Sequence, residues 1–299
     1  MDALWNDLEA RLLPLFRDYR SRLADLPVEV KADRTLLTEA DIAVQSLIIQ
    51  QIRSYEPDAV IIAEEDERTT VREEVAQSNG RVWVIDPIDG TAEFVRQGHK
   101  EFCSVVCLLE DWQPSAAFIL APELGAGGTP LLVTADVSSR SVRLNGHPVP
   151  PPTATGHWIS ATRSAGSPVR EFDSAAEQSG YRLKVRTTSQ SVDMLRTAVD
   201  LSGVTDPVLP PFDLFWRRSQ KLWDGVAGIA IGTALGLRSA DEEGKPLPLG
   251  PGFLSAPTPT FGSTVIGHPE AVAWFLDVVR ARGRTAPTSS QLGVYPRRL

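Results

Sequence analysis

Long apolar runs are missing from this chain of 299 residues, in which hydrophobic residues make up 42% and charged residues 23%. No run approaches the roughly 20 apolar residues that a membrane-spanning helix needs. The start of the chain, MDALWNDLEARLLPLF, mixes acidic residues and arginine with its hydrophobic residues, which is typical of an amphipathic helix and not of a signal peptide. The sequence therefore predicts a globular cytoplasmic protein.

An excess of basic residues is missing as well. The chain has 30 Lys and Arg against 38 Asp and Glu, a net charge of -8, and a pI of about 5.1. This balance excludes general affinity for nucleic acid polymers and for anionic membrane surfaces. A local basic pocket for a small anion stays open.

Cysteine is scarce: the chain has Cys103 and Cys107, both in the segment FCSVVCLLE. The alternation of this segment predicts a β-strand, in which the two residues would lie roughly 13 Å apart. A disulfide tolerates no more than roughly 7 Å between Cα atoms, so we expect two buried free thiols. Cysteine and histidine pairs with the spacing of a zinc site are also absent from the sequence, so a metal site would have to use oxygen ligands.

Hydrophobic periodicity predicts a mixed α and β chain. Helices are predicted over 2–25 and 38–54, and near 168–179, 190–202, 223–236 and 269–282. Strands are predicted over 59–63, 81–85 and 102–109, with AAFIL and LLVTA as further candidates.

Three segments interrupt this pattern. The polar segment 66–80 shows little periodicity and is long for a connection, which predicts a mobile loop. The segment HPVPPPT cannot continue a helix or a central strand, so we place a domain boundary there, with an N-terminal α+β sub-domain over 1–150 and a C-terminal α/β sub-domain over 151–299. The tail from Arg280 combines arginines with Pro, Ser, Thr and Gly, and we expect it to be loosely held.

Acidic residues stand where buried strands are predicted to end. Asp86 and Asp89 lie at the end of the apolar run in RVWVIDPIDGTAEF, and Glu64 and Glu65 directly follow AVIIA. Asp224 lies in KLWDGVAG, at the predicted start of a helix. Carboxylates in such places are costly unless a cation meets them, and a divalent cation is the usual partner where several converge. Oxygen ligands favour Mg²⁺ or Mn²⁺, so the sequence predicts a magnesium site.

Gly90 and Thr91 add a predicted phosphate site directly after the two aspartates. Glycine allows close approach of the backbone, and the free N–H groups of a following helix or turn suit a phosphate. Two metals about 4 Å apart could then act on a phosphate ester, one generating hydroxide from water and the other neutralising the leaving oxygen.

Each of these features also has a simpler structural interpretation. Asp86 and Asp89 are typical of a strand-end turn that faces solvent, and residues 64–67 of a solvated charge run. Asp224 is typical of a helix N-cap or first-turn acid, and Thr91 of a cap for the helix that follows. The joint order of these residues along the chain favours the metal-site interpretation.

The segments VWVIDPIDGTAEF and KLWDGVAG, preceded by TEAD and IIAEED, resemble the signatures of the inositol monophosphatase superfamily of lithium-sensitive, magnesium-dependent phosphatases. The similarity runs from about Lys31 to about Leu247 and thins at both ends. It implies a layered αβαβα sandwich of two mixed sub-domains, commonly a homodimer. It also implies a phosphomonoesterase that acts on a small phosphorylated metabolite with two or three Mg²⁺ ions.

The resemblance also implies a ligand set. A first metal would be held by Glu64, Asp86 and the backbone carbonyl of Ile88. A second would be held by Asp86, Asp89 and Asp224.

Catalytic roles follow from the same resemblance. Thr91, paired with Asp41, would position a water activated by the metal, and Glu65 would lie behind the ligands or contact a third, weaker metal. The phosphate would rest against the backbone of Gly90 and Thr91, and direct in-line attack would form no covalent enzyme intermediate.

The residues around the first signature are more similar to the branch that hydrolyses adenosine 3',5'-bisphosphate than to inositol monophosphatases. That branch shows Glu-Phe after Gly-Thr and again before the next strand, matched here by Glu93-Phe94 and Glu101-Phe102, and AEED resembles its SEED. The two glutamates are equally typical of exposed acids beside core phenylalanines. A nucleotide 3'-phosphate is therefore favoured, with inositol 1-phosphate, another sugar phosphate or histidinol phosphate as the alternative.

The chain departs from the family pattern in the second half. Thr188 stands where the family usually has the glycine of a substrate loop, and Asp193 stands near a common lysine position. Ser189 and Ser191 could still bind a sugar or phosphate, or cap the helix that follows. The segment PPFDLFWRRSQ is atypical too, and its aromatic residues and arginines would line the pocket or pack at a dimer contact.

Two hypotheses of other classes stay open. The scaffold could serve as a non-catalytic module that binds a metal or a phosphosugar, or the arginines of 280–298 could serve an interaction with another protein.

Overall fold

The computed structural model describes residues 1–31, 36–66, 71–155, 157–163 and 170–283. Its helices are, in chain order, α1 Asp2–Ser21, α2 Glu39–Tyr55, α3 Val71–Gln77, α4 Thr91–Phe94, α5 Glu171–Gln178, α6 Gln190–Ala198, α7 Leu222–Ala234, α8 Pro251–Leu254 and α9 Pro269–Gly283. Its strands are β1 Val28–Val30, β2 Leu36–Thr38, β3 Ile61–Ala63, β4 Val82–Asp89, β5 Cys103–Glu110, β6 Gln113–Ala121, β7 Leu131–Asp136, β8 Ser141–Leu144, β9 His147–Pro148, β10 Trp158–Arg163, β11 Arg182–Arg186, β12 Leu214–Lys221, β13 Arg238–Ala240 and β14 Thr260–Gly267.

A seven-stranded sheet follows the chain from one edge to the other, in the order β3-β4-β5-β6-β7-β8-β9. β3 and β4 are parallel, and the remaining pairs are antiparallel. Side chains therefore alternate between its two faces. On β4, Trp83 packs with the helices of one face, whereas Val84 packs with those of the other.

A five-stranded sheet forms the second half, in the order β11-β10-β12-β14-β13. β10 is parallel to β11 and to β12, while β12 and β13 are antiparallel to β14. The order of these strands departs from their order in the chain, and helices α5, α6 and α7 lie in the connections between successive strands from β10 to β13.

The helices form three layers around the two sheets. α1 and α2 cover the outer face of the seven-stranded sheet, α6 and α7 lie between the sheets, and α5 and α9 cover the outer face of the five-stranded sheet. The predicted layered αβαβα architecture is confirmed.

The middle layer is packed closely enough to fix its helices. Every residue of α7 except Thr233 is buried, and a Cβ at Gly228 would lie 2.6 Å from the Cβ of Met194 on α6. Since real Cβ atoms do not approach so closely, this glycine allows the two helices to touch. α7 is thereby held in one position between the sheets.

The predicted mobile loop over 66–80 is wrong for part of that segment, because α3 occupies Val71–Gln77. Val75 is fully buried and joins the core between the sheets. Val71 and Val75 stand four residues apart, which is a helical spacing, but two valines in a polar segment of fifteen residues are too few to predict a helix. Residues 67–70 and the arginine-containing tail over 284–299 lie outside the described residues.

Cys103 and Cys107 are both buried and unpaired, as the strand spacing predicted. The first two residues of HPVPPPT form β9, at the edge of the seven-stranded sheet, and the predicted boundary after residue 150 lies between β9 and β10. In the part of the chain that the structure describes, no helix combines the length and apolar character required to cross a membrane.

Candidate metal centre and phosphate site

Three carboxylates from two distant parts of the chain meet at one point between the sheets. Asp86 and Asp89 lie on the last residues of β4, and Asp224 lies in the first turn of α7. One carboxylate oxygen of each lies within 4.8 Å of the others. They are 1%, 7% and 9% exposed, respectively, which excludes the interpretation of acids turned toward solvent.

An irregularity in β4 explains why Asp86 and Asp89, three residues apart, lie on the same side of the strand. Asp86 pairs with Val105, whereas Asp89 pairs with Cys103, so β4 uses one more residue than β5 over this stretch. Residues three apart on a regular strand face opposite sides, and one extra residue reverses the alternation. The hydroxyl of Ser104 donates to the carbonyl of Pro87 at 2.5 Å and thereby satisfies a backbone group at the bulge.

The three carboxylates form a site of unbalanced negative charge. Burial raises the pKa of Asp86 well above its usual value, and Glu64, Asp89 and Asp224 raise it further. Burial also raises the pKa of Asp224 well above its usual value, with Asp89 and Glu64 acting in the same direction. The Oδ1 atom of Asp86 is shielded from solvent and has no hydrogen-bond partner among the described residues. A hard divalent cation fits this set, since it takes oxygen ligands and neutralises the charge.

The N-terminus of α6 holds two of the three carboxylates in place. Asp89 Oδ2 accepts hydrogen bonds from Ser189 Oγ at 2.7 Å and from the backbone N–H of Ser191 at 2.6 Å. Gln190 Nε2 donates to Asp224 Oδ2 at 2.5 Å, and Ser191 Oγ donates to the backbone carbonyl of Asp224 at 3.0 Å. Ser189 Oγ also caps α6 by accepting from the N–H of Val192 at 3.0 Å. The two predicted substrate serines thus contact the carboxylates directly.

Glu64 and Glu65 lie beside the three carboxylates and face lysines. Lys31 Nζ lies 3.3 Å from Glu64 Oε1 and also donates to Glu65, while Lys221 Nζ lies 3.9 Å from Glu64. Burial raises the pKa of Glu65 to about 7, because its effect exceeds the opposing effect of Lys31. Gln45 Oε1 accepts from the N–H of Glu65 at 3.0 Å. These glutamates are partly buried, which excludes the interpretation of freely solvated charges for both of them; Glu67, the last residue of that run, lies outside the described residues.

Thr91 and Asp41 are brought together, although the threonine has a closer partner. Thr91 Oγ1 lies 3.0 Å from the carbonyl oxygen of Ile88 and 3.4 Å from Asp41 Oδ1. The other oxygen of Asp41 accepts from the N–H and the hydroxyl of Thr38, at 2.8 and 2.6 Å, in the capping box of α2. Burial raises the pKa of Asp41 to about 6 against the effect of those hydrogen bonds.

Gly90 forms the turn between β4 and α4. Its φ of 92° lies in the left-handed region, and a Cβ there would lie 2.9 Å from the carbonyl oxygen of Glu101 and 3.2 Å from the Cβ of Ser189. The carbonyl of Gly90 accepts from the N–H groups of Glu93 and Phe94, which closes the turn. The backbone at this position therefore requires glycine both for its conformation and for space.

Gly90→Ala is expected to lower the free energy of unfolding by about 3 kcal/mol, because left-handed backbone and the contact with Glu101 act together. Gly98 provides a matched control: its φ is 80°, and a Cβ there would meet nothing within 4 Å. Gly98→Ala should therefore lower the free energy of unfolding only by the cost of the left-handed backbone, about 1 kcal/mol. Urea unfolding of both variants measures the difference, and equal losses would contradict the steric argument.

The structure adds an ionic cluster around the buried Asp193 that the sequence did not predict. Lys184 Nζ donates to Asp193 Oδ1 at 2.5 Å, to Thr188 Oγ1 at 2.6 Å and to Glu101 Oε2 at 3.2 Å. Asp193 is fully buried and also accepts from Ser160 Oγ at 2.9 Å. Asp193, which stands near a position where the family commonly has lysine, is thus paired with Lys184 from β11. In the sequence, the only sign of this cluster is that Asp193 departs from the family pattern. No motif or residue spacing identifies Lys184 as its partner.

The interpretation of Glu93 as an exposed acid is wrong, because its residue is 3% exposed. Its carboxylate binds Arg96 at 3.0 Å, Arg186 at 2.7 Å and the ring of His99. Glu101 is partly buried in the cluster of Lys184. Glu93 and Glu101 therefore link the segment around and after α4 to β11, through ion pairs with Arg186 and Lys184.

Comparison with known proteins gives a family match over most of the chain. The model of the inositol monophosphatase family matches residues 6–270. The 3'(2'),5'-bisphosphate nucleotidase CysQ of Escherichia coli is 28% identical over 238 residues, which cover 76% of this chain and 88% of CysQ. The histidinol-phosphatase of Mycobacterium tuberculosis is 39% identical over 100 residues, which cover 33% of this chain and 36% of that protein.

Solved structures show the same fold. A staphylococcal inositol monophosphatase complexed with products superposes with a TM-score of 0.72 at 19% identity, covering 94% of this chain and 95% of that one. An inositol monophosphatase/NADP phosphatase complexed with Mg²⁺ and phosphate superposes with a TM-score of 0.70 at 19% identity, covering 92% and 94%. At such identity the likeness concerns the fold alone.

Proposed function

The chain belongs to the inositol monophosphatase family and is a phosphatase, and from that premise we propose that it is a Mg²⁺-dependent phosphomonoesterase for a small anionic metabolite. Adenosine 3',5'-bisphosphate is the favoured substrate, and inositol 1-phosphate, another sugar phosphate or histidinol phosphate is the alternative. The observation that carries the proposal is the convergence of Asp86, Asp89 and Asp224 around a buried carboxylate oxygen without a partner among the described residues.

The carboxylates would hold two or three Mg²⁺ ions. We assign Glu64, Asp86 and the carbonyl of Ile88 to one ion and Asp86, Asp89 and Asp224 to a second; Glu65 lies behind the first group or contacts a third. Bound Mg²⁺ would supply the positive charge that activates a water and stabilises the leaving oxygen of a phosphate ester.

Thr91 and Asp41 would position the attacking water. Asp41, whose pKa is raised to about 6, is ionised at neutral pH and can accept a hydrogen bond from the threonine hydroxyl. That bond directs the oxygen of Thr91 toward the water as an acceptor. The turn at Gly90 would present the backbone N–H groups of Gly90 and Thr91 to the phosphate.

The extent of the match supports the preference for a nucleotide. The CysQ relative matches most of this chain, whereas the match to the histidinol-phosphatase covers a third of it. Glu93 and Glu101, which carry the resemblance to the bisphosphate branch, pair with basic residues of this chain, and these pairs do not distinguish one substrate from another. We also propose, from the family, inhibition by millimolar lithium and a homodimeric assembly in the cytoplasm.

Release of phosphate is expected to require Mg²⁺ and to be fastest with adenosine 3',5'-bisphosphate. The measurement is kcat/KM for a panel of adenosine 3',5'-bisphosphate, inositol 1-phosphate, fructose 1,6-bisphosphate and histidinol phosphate, with and without Mg²⁺. A higher kcat/KM for another ester of the panel would make that ester the preferred substrate. No turnover of any ester would favour a non-catalytic binding module.

A further inference from the structure

Arg217 and Arg218 are neighbours on β12, and their side chains lie on opposite faces of the sheet. Phe215 packs into the core between the sheets, and Trp216 packs into the core on the outer face. Because side chains alternate along a strand, Arg217 shares the inner face with Phe215. Arg218 lies on the outer side, where its Nε binds Glu242 at 2.8 Å.

The inner-face arginine reaches the segment that holds the metal ligands. Arg217 Nη1 donates to Thr187 Oγ1 at 2.8 Å, and Thr187 precedes Ser189, which donates to Asp89. Burial lowers the pKa of Arg217, and the carboxylates of Asp224 and Asp89 oppose that change. The guanidinium is therefore within electrostatic range of the metal centre.

The guanidinium of Arg217 has unused hydrogen-bonding capacity. Its Nε is shielded from solvent and has no hydrogen-bond partner among the described residues, although the residue as a whole is only partly buried. Within the same part of the chain it forms no ion pair, whereas Arg163 pairs with Asp173 at 2.8 Å and Arg218 pairs with Glu242. A partly buried cation with an unpaired donor is costly unless an anion meets it.

We propose that Arg217 binds a second anionic group of the substrate and thereby selects esters that carry two phosphates. The inference rests on the proposed function, since it names the recognition element of that same site. A planar guanidinium forms paired hydrogen bonds with phosphate oxygens, which an uncharged hydroxyl group of a polyol does not match.

The test compares adenosine 3',5'-bisphosphate with adenosine 3'-monophosphate, which differ only in the second phosphate. Wild type is expected to show the higher kcat/KM for the bisphosphate. In Arg217→Met the ratio of the two kcat/KM values should fall about tenfold or more, mainly through KM of the bisphosphate. Arg217→Lys should restore part of the ratio, because it keeps the charge but not the planar fork.

Arg218→Met is the matched control: it removes the adjacent arginine on the opposite face and should leave the ratio at the wild-type value. An unchanged ratio in Arg217→Met would overturn the inference, as would an equal fall for both nucleotides, which indicates a structural role. A wild type that prefers the monophosphate overturns the inference and leaves the phosphatase function intact. If no ester is turned over, the proposed function fails. Calorimetry then measures the affinities of wild type and Arg217→Met for the two nucleotides, and an unchanged ratio of these affinities in Arg217→Met would overturn the inference.

Discussion

Asp89→Asn is expected to lower kcat/KM for phosphate release by on the order of 10³-fold, because it removes one charged oxygen from the proposed metal centre. The folded structure should survive. The oxygen of asparagine can still accept from Ser189 and Ser191, which bind a single oxygen of Asp89. Steady-state kinetics with the best ester of the panel measure the loss.

Thermal unfolding distinguishes two causes for the loss of activity in Asp89→Asn, namely loss of metal binding and damage to the fold. Mg²⁺ should raise the Tm of wild type, since a ligand that binds only the folded state stabilises it. In Asp89→Asn this Mg²⁺-dependent increase should shrink or vanish. The Tm of the metal-free variant should equal or exceed that of wild type, because the repulsion from Asp86 and Asp224 is reduced. Asp58→Asn, at an exposed position, is the control, and full activity of Asp89→Asn would refute the assignment.

Lys184→Met is expected to lower the free energy of unfolding by about 3–5 kcal/mol, the cost of leaving a buried charge without its partner. Asp193 is fully buried, and Lys184 is its closest cation, at 2.5 Å; Arg196 lies 3.8 Å away. The same substitution removes the hydrogen bond to Thr188, next to the residue that holds Asp89. Urea unfolding should therefore show a much lower midpoint.

Two further variants test the cause of that loss. Lys184→Met combined with Asp193→Asn should recover part of the stability, because no buried carboxylate is then left without its closest cation; the recovery is incomplete because Arg196, 5% exposed, loses its ion pair with Asp193. Lys245→Met removes an exposed lysine that pairs with Glu243, and its unfolding midpoint should match that of wild type. If Lys184→Met behaved like Lys245→Met, the cluster would have no structural importance.

The meeting of the carboxylates was predictable from their order along the chain and not from any one of them. Asp86 and Asp89 alone are equally typical of a strand-end turn, and Asp224 alone is typical of a helix cap; the resemblance of DPIDGT and WD to one family predicted that the three meet. The bulge in β4, which turns the first two to one side, has no sequence signal apart from the proline between them. Their roles as metal ligands stay predictions.

The residues that surround the carboxylates were not predictable in the same way. Lys184 reaches Glu101 across 83 positions of sequence, and Arg186 reaches Glu93 across 93. Such pairs depend on how the two sheets are placed against each other, which no local pattern encodes. α3 was missed for a different reason, since its two valines at helical spacing form too short a pattern within a polar segment.

The burial of α7 between the sheets has a consequence for chimeras of related enzymes. A junction in the Pro-rich segment 147–153 separates the sheets, yet α6 and α7 follow it in the chain and pack against the sheet that precedes it. An exchange at that point would pair a foreign helix with the native face of β4, β5 and β6, and it would bring in a foreign Asp224. Grafting the loops around the site onto an intact backbone keeps those neighbours together and is the sounder route to a new specificity.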